Sequence, residues 1–74
     1  MKACEDRYEG QLRSNAYGAT RYFVVDRTTD RVVVERNDAG KSLSFEEARD
    51  YAAGMNAILN QQRERHGRCV RRTR

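Results

Sequence analysis

The second half of the chain carries an apolar stripe at alternating steps of three and four residues. This spacing is typical of an amphipathic helix, because it places the apolar side chains on one face. Polar and charged residues fall on the other faces, with acids early and arginines late, an order that suits the helix dipole. The stripe consists of Phe45, Ala48, Ala52, Met55 and Leu59, and it is widened by Tyr51 and Ile58.

Both ends of this helix are marked in the sequence. Ser44 is followed three residues later by Glu47, the spacing of a capping box, in which each side chain bonds the other residue's backbone N–H. Gly67 is placed to end the helix, so the pattern predicts a helix from Phe45 to Arg65. Gly54 interrupts it, and close approach of another backbone is the expected reason.

Two short runs of β-branched and aromatic residues precede the helix. Residues 21–26 and 31–36 read as strands of a hairpin, joined by residues 27–30. Asp30 stands where a turn of this length needs a left-handed residue. Residues 37–40 read as a second turn.

The register of the hairpin is left open by one residue, and a one-residue slip exchanges the two faces of the sheet. Either Tyr22, Val24, Val32 and Val34 face the helix, or Phe23, Val25 and Val33 do. One helix covers one face only, so the second face needs the N-terminal segment, a second copy or a partner. The candidate protein-interface residues are therefore Tyr22, Phe23, Val25 and Val33.

The N-terminal eighteen residues allow two readings. Tyr8, Gly10 and Leu12 alternate with polar residues, which suits a first strand, whereas Cys4, Tyr8 and Leu12 are spaced for a short helix. The strand is favoured because Gly10 weakens a helix. The predicted fold class is α+β: a small antiparallel β-β-β sheet packed on one long C-terminal amphipathic helix, in a single domain of residues 1–62.

The basic charge is concentrated at the C-terminal end. The 74 residues have a formal net charge of +4. Residues 1–62 carry nine basic and ten acidic side chains, a net −1, while residues 63–74 carry six arginines and Glu64, a net +5. Such a segment cannot build a core, so it is expected to be a flexible tail that binds polyanion. The candidate binding residues are Arg63, Arg65, Arg68, Arg71, Arg72 and Arg74.

Residues for catalysis or metal binding are few. His66 is the only histidine, and it lies in a segment with no apolar wall to exclude water. Together with Cys69 and Cys4 it gives three zinc ligands where a closed site needs four. The sequence therefore predicts no enzyme, no cofactor and no metal site.

The two cysteines, Cys4 and Cys69, lie near opposite ends of the chain. Charged residues follow Met1 where a signal segment would be apolar, so a cytoplasmic location is expected, in a bacterium or a phage-infected host. Free thiols are the expectation in that reducing compartment, although a bridge between the two cysteines remains open. No apolar run is long enough to span a bilayer, so no membrane association is predicted.

Residues 21–53 contain a Tyr-x-Val strand, a turn, a Val-rich strand and then Phe-Glu-Glu-Ala at the start of a helix. This span resembles the small arm-binding domains at the beginning of phage-type integrases. The resemblance covers less than half of the chain, and Glu35 and Asp38 interrupt the basic sheet face that DNA binding would need, so it does not establish a family.

Two functions remain. The first is a small non-enzymatic binding protein, of phage or bacterial type, that contacts nucleic acid or a nucleoprotein complex through its arginine-rich C-terminus. The alternative is a protein-binding regulator or inhibitor, for example a phage counter-defence protein resembling the inhibitors of CRISPR effectors. That protein would act through its exposed sheet face and edge, where a homodimer is also expected.

Overall fold

The strands and the helix form where the hydrophobic pattern predicts them. The computed structural model describes residues 2–14 and 16–70. Its elements are β1 (Tyr8–Ser14), β2 (Thr20–Asp26), β3 (Arg31–Val34) and α1 (Phe45–Arg65). The sheet order is β1-β2-β3, and both pairings are antiparallel. The α+β fold class is therefore confirmed, and residues 8–14 form the first strand rather than a short helix.

A β-bulge in β3 decides the register that the sequence left open. Val24 lies opposite Val34 and Val25 lies opposite Val32, so Val33 is an extra residue on β3. Since opposite residues share a face of the sheet, Val34 joins Val24 on the helix side, while Val32 joins Val25 on the outer side. The register with Tyr22, Val24 and Val34 on the helix side is thus the one that forms, except that the bulge turns Val32 to the outer side.

The hairpin turn and the return to the helix follow the local sequence. Asp30 has φ of 58°, the left-handed conformation predicted for it. After β3, Arg36 bridges Ser42 across the turn at residues 37–40, and Leu43 then lies beside Tyr22 of β2. Leu43 is buried there and joins the core directly before the helix begins.

The helix ends are built as predicted. The Glu47 N–H donates to the Ser44 hydroxyl at 3.1 Å, and the Ser44 N–H donates to the Glu47 carboxylate at 3.0 Å, which completes the capping box. At the other end Gly67 has φ of 69°. The Gly67 N–H bonds the Glu64 carbonyl and the Arg68 N–H bonds the Arg63 carbonyl, a Schellman motif.

The buried face of α1 is rotated away from part of the predicted apolar stripe. Ala48 and Ala52 pack in the core with Val24 and Leu43. Asn56, which the pattern assigns to a polar face, is buried beside them. Phe45 and Ile58 from the stripe remain 57% and 63% exposed. The core is therefore made mainly of small side chains, and an apolar strip of the helix lies outside it.

Two hydrogen bonds account for the buried amide. Asn56 Oδ1 accepts from the Tyr8 N–H at 2.8 Å, and Asn56 Nδ2 donates to the Tyr8 carbonyl at 2.8 Å. The side chain thus binds both polar groups of one residue of β1, as a neighbouring strand would. This pairing lets a polar residue be buried without an unsatisfied group.

The glycine that allows close packing is Gly10, not Gly54. A Cβ added at Gly10 would lie 3.1 Å from Ala48 Cβ and 3.3 Å from the Ala48 carbonyl carbon, so the strand backbone lies directly against the helix. The expectation for Gly54 is wrong, because a Cβ there would meet nothing within 4 Å. The sequence shows which residues are small but not which of them a neighbour approaches.

The expectation of free thiols is also wrong in this structure. Cys4 and Cys69 form a disulfide with their Cα atoms 5.0 Å apart, and both residues are buried. Backbone hydrogen bonds extend the junction: the Cys4 N–H donates to Val70 and the Val70 N–H donates to Lys2, at 2.8 and 3.0 Å. The expectation rested on the reducing compartment inferred from the sequence, whereas in the structure the turn after α1 returns residues 68–70 to the N-terminal segment and brings Cys69 to Cys4.

Replacement of Gly10 by alanine should destabilise the fold, because the added methyl group must push the helix away from β1. We expect a loss of about 1–3 kcal/mol in the free energy of unfolding, measured by urea titration. Gly54→Ala is the matched control, and it should add up to about 1 kcal/mol through helix propensity. Equal effects of the two substitutions would contradict the close contact of strand and helix.

Removal of the disulfide should cost about 4 kcal/mol, since it closes a loop of 65 residues in the unfolded chain. The double variant Cys4→Ser/Cys69→Ser and the reduced wild type should show the same urea midpoint, well below that of the oxidised protein. Reductant should not change the double variant. A reductant effect on that variant, or none on the wild type, would contradict the bridge.

Candidate nucleic-acid interface

The arginine-rich segment starts on the helix and continues beyond it. Arg63 and Arg65 lie in the last turn of α1, and the Schellman motif fixes the backbone of Arg68. Arg65 and Arg68 are exposed, and neither makes an ion pair with another described residue. The remaining candidates lie outside the described residues: Arg71, Arg72 and Arg74.

Arg63 has a structural role that the sequence did not suggest. Its guanidinium donates to the Glu5 carbonyl at 2.9 Å and to Asn60 Oδ1 at 3.2 Å. The side chain is half-buried between the helix and the N-terminal segment. Arg63 therefore holds the two ends of the chain together, and less of its charge faces solvent than that of Arg65 or Arg68.

The disulfide and its flanking hydrogen bonds fix the place where the basic segment leaves the domain. Val70 forms a parallel β-bridge with Ala3, and the Val70 N–H donates to the Lys2 carbonyl. Lys2 is exposed at the same place, so a positive side chain from the other end of the chain is added to the base of the segment. Residues 67–70 do not extend freely into solvent, contrary to the expectation for the whole tail.

Acidic residues border this junction on the N-terminal side. A polar depression of about 270 Å³ lies there, and Asp6 accepts a hydrogen bond from Asn60 at 3.3 Å. Because the lining mixes both signs of charge, the depression is not a continuous positive surface. The lining residues are Glu5, Asp6, Arg7, Arg27, Thr28 and Arg63.

A partly buried ion pair lies at the depression, and no local pattern in the sequence predicts it. Arg7 Nε lies 3.0 Å from both carboxylate oxygens of Asp26, and an Arg7 terminal nitrogen lies 2.8 Å from Oδ2. The Thr28 N–H donates to the same carboxylate at 2.9 Å. The Arg7 hydrogen bond is the main reason why the pKa of Asp26 is lowered to about 2, and burial opposes it. The pair fixes the N-terminal segment to the end of β2.

The four candidate protein-interface residues lie in different places. Tyr22 is half-buried on the helix side, with its ring edge-on to Phe45 at 5.7 Å between centroids. Val25 faces the outer side but has no exposed surface. Phe23 is half-buried, and Val33 is 44% exposed at the bulge.

Polar side chains of β1 follow one another along the outer face of the sheet. Gln11 donates to Glu9 at 2.6 Å, Arg13 donates to Gln11 at 3.1 Å, and Arg13 also pairs with Asp30 at 3.0 Å. They share that face with Val25, because Glu9 lies directly opposite it on β2. The polar side chains of β1 therefore limit the apolar part of the outer face to β2 and β3.

The residues considered for zinc have other roles. Cys4 and Cys69 are bonded to each other, and His66 caps the C-terminus of α1 through its backbone N–H. In the part of the chain that the structure describes, no group of three or more His, Cys, Asp or Glu is placed to hold a metal ion. Within those same residues, no helix combines the length and apolar character needed to cross a bilayer.

Comparisons with protein-family models, with curated protein sequences and with solved structures each found no match to this chain. No family assignment follows for residues 21–53 or for any other span.

The Asp26 pair should make the fold sensitive to acid. A folded-state pKa near 2 is below the unfolded value of about 3.9, so its contribution is complete above pH 4 and is lost as the pH falls towards 2. The difference in urea midpoint between wild type and Asp26→Asn should therefore shrink over that range. Asp50→Asn controls for removing an exposed carboxylate. A difference that stays constant with pH would contradict the assignment.

Proposed function

We propose that this chain is a non-enzymatic binding protein that contacts nucleic acid, alone or in a nucleoprotein complex, through its arginine-rich C-terminal segment, residues 63–74. The observation that carries the proposal is the state of Arg65 and Arg68. Both are exposed and make no ion pair with a described residue, while the domain around them pairs several of its arginines with its own acids. Unpaired guanidinium groups are well suited to phosphate.

The anchored base of the segment supports the same proposal. A basic chain fixed at one point loses less conformational freedom on binding than one that is loose along its whole length. The disulfide and the Lys2–Val70 hydrogen bond supply that fixed point. The rest of the domain is close to electrically neutral, so it neither adds to the attraction nor opposes it strongly. Binding of this kind is independent of base sequence and falls steeply with salt.

We keep the cytoplasmic location predicted from the sequence as part of the proposal. The disulfide between Cys4 and Cys69 is an observation against it. Structural disulfides persist in oxidising compartments and are rare in the cytosol. Rapid alkylation of the protein in its native cells, followed by mass determination, separates the two cases: two modified thiols support the cytoplasm, and none supports an oxidising compartment.

A second candidate function is a protein-binding regulator or inhibitor, such as a phage counter-defence protein, acting through the sheet. The exposed Val33 at the bulge of β3 favours it, because β3 is an edge strand of the sheet. The patch is small, since Val25 is buried and polar side chains of β1 share the outer face.

The proposal predicts a steep salt dependence that originates in the tail. If the five arginines of the segment other than Arg63 all meet phosphates, log affinity for duplex DNA should fall with log salt at a slope of about −4.5. Arg71→Gln/Arg72→Gln/Arg74→Gln should reduce the magnitude of the slope by about 3. The measurement is fluorescence anisotropy of labelled duplex and single strands over a salt series.

The matched control removes three positive charges elsewhere, through Arg21→Gln/Arg31→Gln/Lys41→Gln, and it should leave the slope nearly unchanged. Equal losses in the two triple variants would reduce the effect to net charge, and no binding by the wild type would end the proposal. Capture of a cellular protein that is lost in Val33→Lys but kept in the tail variant would favour the second candidate.

A further inference from the structure

One side of α1 carries an apolar groove that the rest of the domain leaves open. The groove has a volume of about 480 Å³, and it continues past Met55 and Ile58 into a second depression that reaches Gln62. Ile58 is 63% exposed, and the face of Gly54 meets nothing within 4 Å. The main groove is lined by Glu47, Asp50, Tyr51, Gly54, Met55 and Ile58.

Gly54 and Ile58 give the groove a gap next to a projection. They lie one helical turn apart on the same side of α1, so a bare stretch of backbone stands beside a branched apolar side chain. A glycine in the middle of an exposed helix lowers stability by about 1 kcal/mol relative to alanine. No other part of the described chain uses the space that this glycine leaves.

The charged residues on the same line of the helix have opposite signs at its two ends. Glu47 and Arg65 are 18 residues apart, which is about five turns, so they lie on one line with the groove between them. Helix periodicity thus gives this face an acidic start, an apolar centre and a basic end.

The positions of these residues are symmetric about one point. The pair Gly54 and Ile58 and the pair Glu47 and Arg65 have the same midpoint, the level of Asn56. An antiparallel helix centred at that level therefore places its own Ile58 over Gly54, and its own Arg65 over Glu47. A two-fold axis repeats both contacts, as the interface of a symmetric dimer requires.

We propose that this groove is the interface of a homodimer, in which α1 packs antiparallel against α1 of a second copy with Ile58 of each helix over Gly54 of the other. A parallel arrangement would bring Glu47 against Glu47 and Arg65 against Arg65. The antiparallel arrangement makes two pairs of opposite charge instead, which is why a second copy is the occupant that fits this face.

The two charged groups are prepared for this contact. The Glu47 carboxylate is held by hydrogen bonds from the Ser44 N–H and from Asn37 Nδ2, both at 3.0 Å, and it retains acceptor positions for a guanidinium. The pKa of Glu47 is lowered, chiefly by the Ser44 bond, so the carboxylate stays ionised at neutral pH. Arg65 is exposed and makes no ion pair with a described residue.

This surface differs from the sheet face that the sequence suggested for a homodimer, and it does not depend on nucleic-acid binding. The oxidised full-length chain should therefore be studied without nucleic acid. Sedimentation equilibrium over a concentration series into the millimolar range should show a monomer–dimer equilibrium. A monomer at every concentration would overturn the proposal.

Ile58→Glu should raise the dimer dissociation constant by at least about tenfold, because it places a charge at the centre of the interface. Gly54→Ala should weaken the dimer while raising the monomer's resistance to urea, two opposite effects that loss of folding cannot produce. Val33→Lys, on the sheet, should leave the dissociation constant unchanged. Weakening by Val33→Lys and not by Ile58→Glu would place the dimer on the sheet and overturn the proposal.

Charge reversal tests the antiparallel pairing itself. Arg65→Glu should weaken the dimer, whereas Arg31→Glu, which changes the net charge equally, should not. The variant Glu47→Arg should also weaken it, and circular dichroism will show that the helix survives loss of the capping box. Each variant alone sets like charges together, but a mixture of the two makes both pairs complementary, so a heterodimer should form. Failure of the mixture to associate more tightly than either variant alone would refute this register.

Discussion

The close contact between α1 and β1 determines how the rest of the molecule is arranged. Gly10 lets the backbone of β1 contact Ala48. Two residues earlier on the same strand, the Asn56 side chain hydrogen-bonds both the N–H and the carbonyl of Tyr8. A helix held this near to the sheet leaves room only for small side chains between the layers. Alanine therefore supplies most of the buried helix face, and Phe45 and Ile58 are left outside.

A core of this size gives limited stability, and the structure adds two cross-links that hold the N-terminal segment. Arg7 and Asp26 join the N-terminal segment to the end of β2, and Cys4 and Cys69 join it to the segment after α1. Chains of this length commonly need such additional links, because a small domain buries a smaller share of its surface on folding than a larger domain does. The ion pair and the disulfide act at the same junction, so the two ends of the chain depend on each other.

Local patterns predicted the elements, and contacts between distant residues decided the features that the patterns missed. The capping box, the left-handed Asp30 and the glycine stop at Gly67 depend on neighbours along the chain, and all three were predicted. The roles of Gly10, Gly54 and Asn56 depend on which side of the helix meets β1, and a period of 3.6 residues does not determine that. No residue near Val33 indicates a bulge in the sequence, so the register of the hairpin stayed open.

For the candidate binding residues, the sequence shows where the charges lie, and only the structure shows which side chains are exposed. A count of charges is enough to locate the arginines, but the structure separates Arg63, which is used internally, from Arg65 and Arg68, which face solvent. The alternation of side chains along β2 was enough to make Val25 an interface candidate. Val25 is buried because β2 lies between β1 and β3, and a pattern of neighbouring residues does not predict how strands pair.

The junction between Lys2–Cys4 and Cys69–Val70 also has a mechanical consequence. Because the chain enters and leaves the domain at one covalent bridge, a force that pulls on the two ends is carried by the sulfur–sulfur bond. The sheet and the helix lie inside the closed loop and bear none of the load. The oxidised domain should therefore resist stretching in an optical trap until a reductant opens the bridge, after which it should extend at low force.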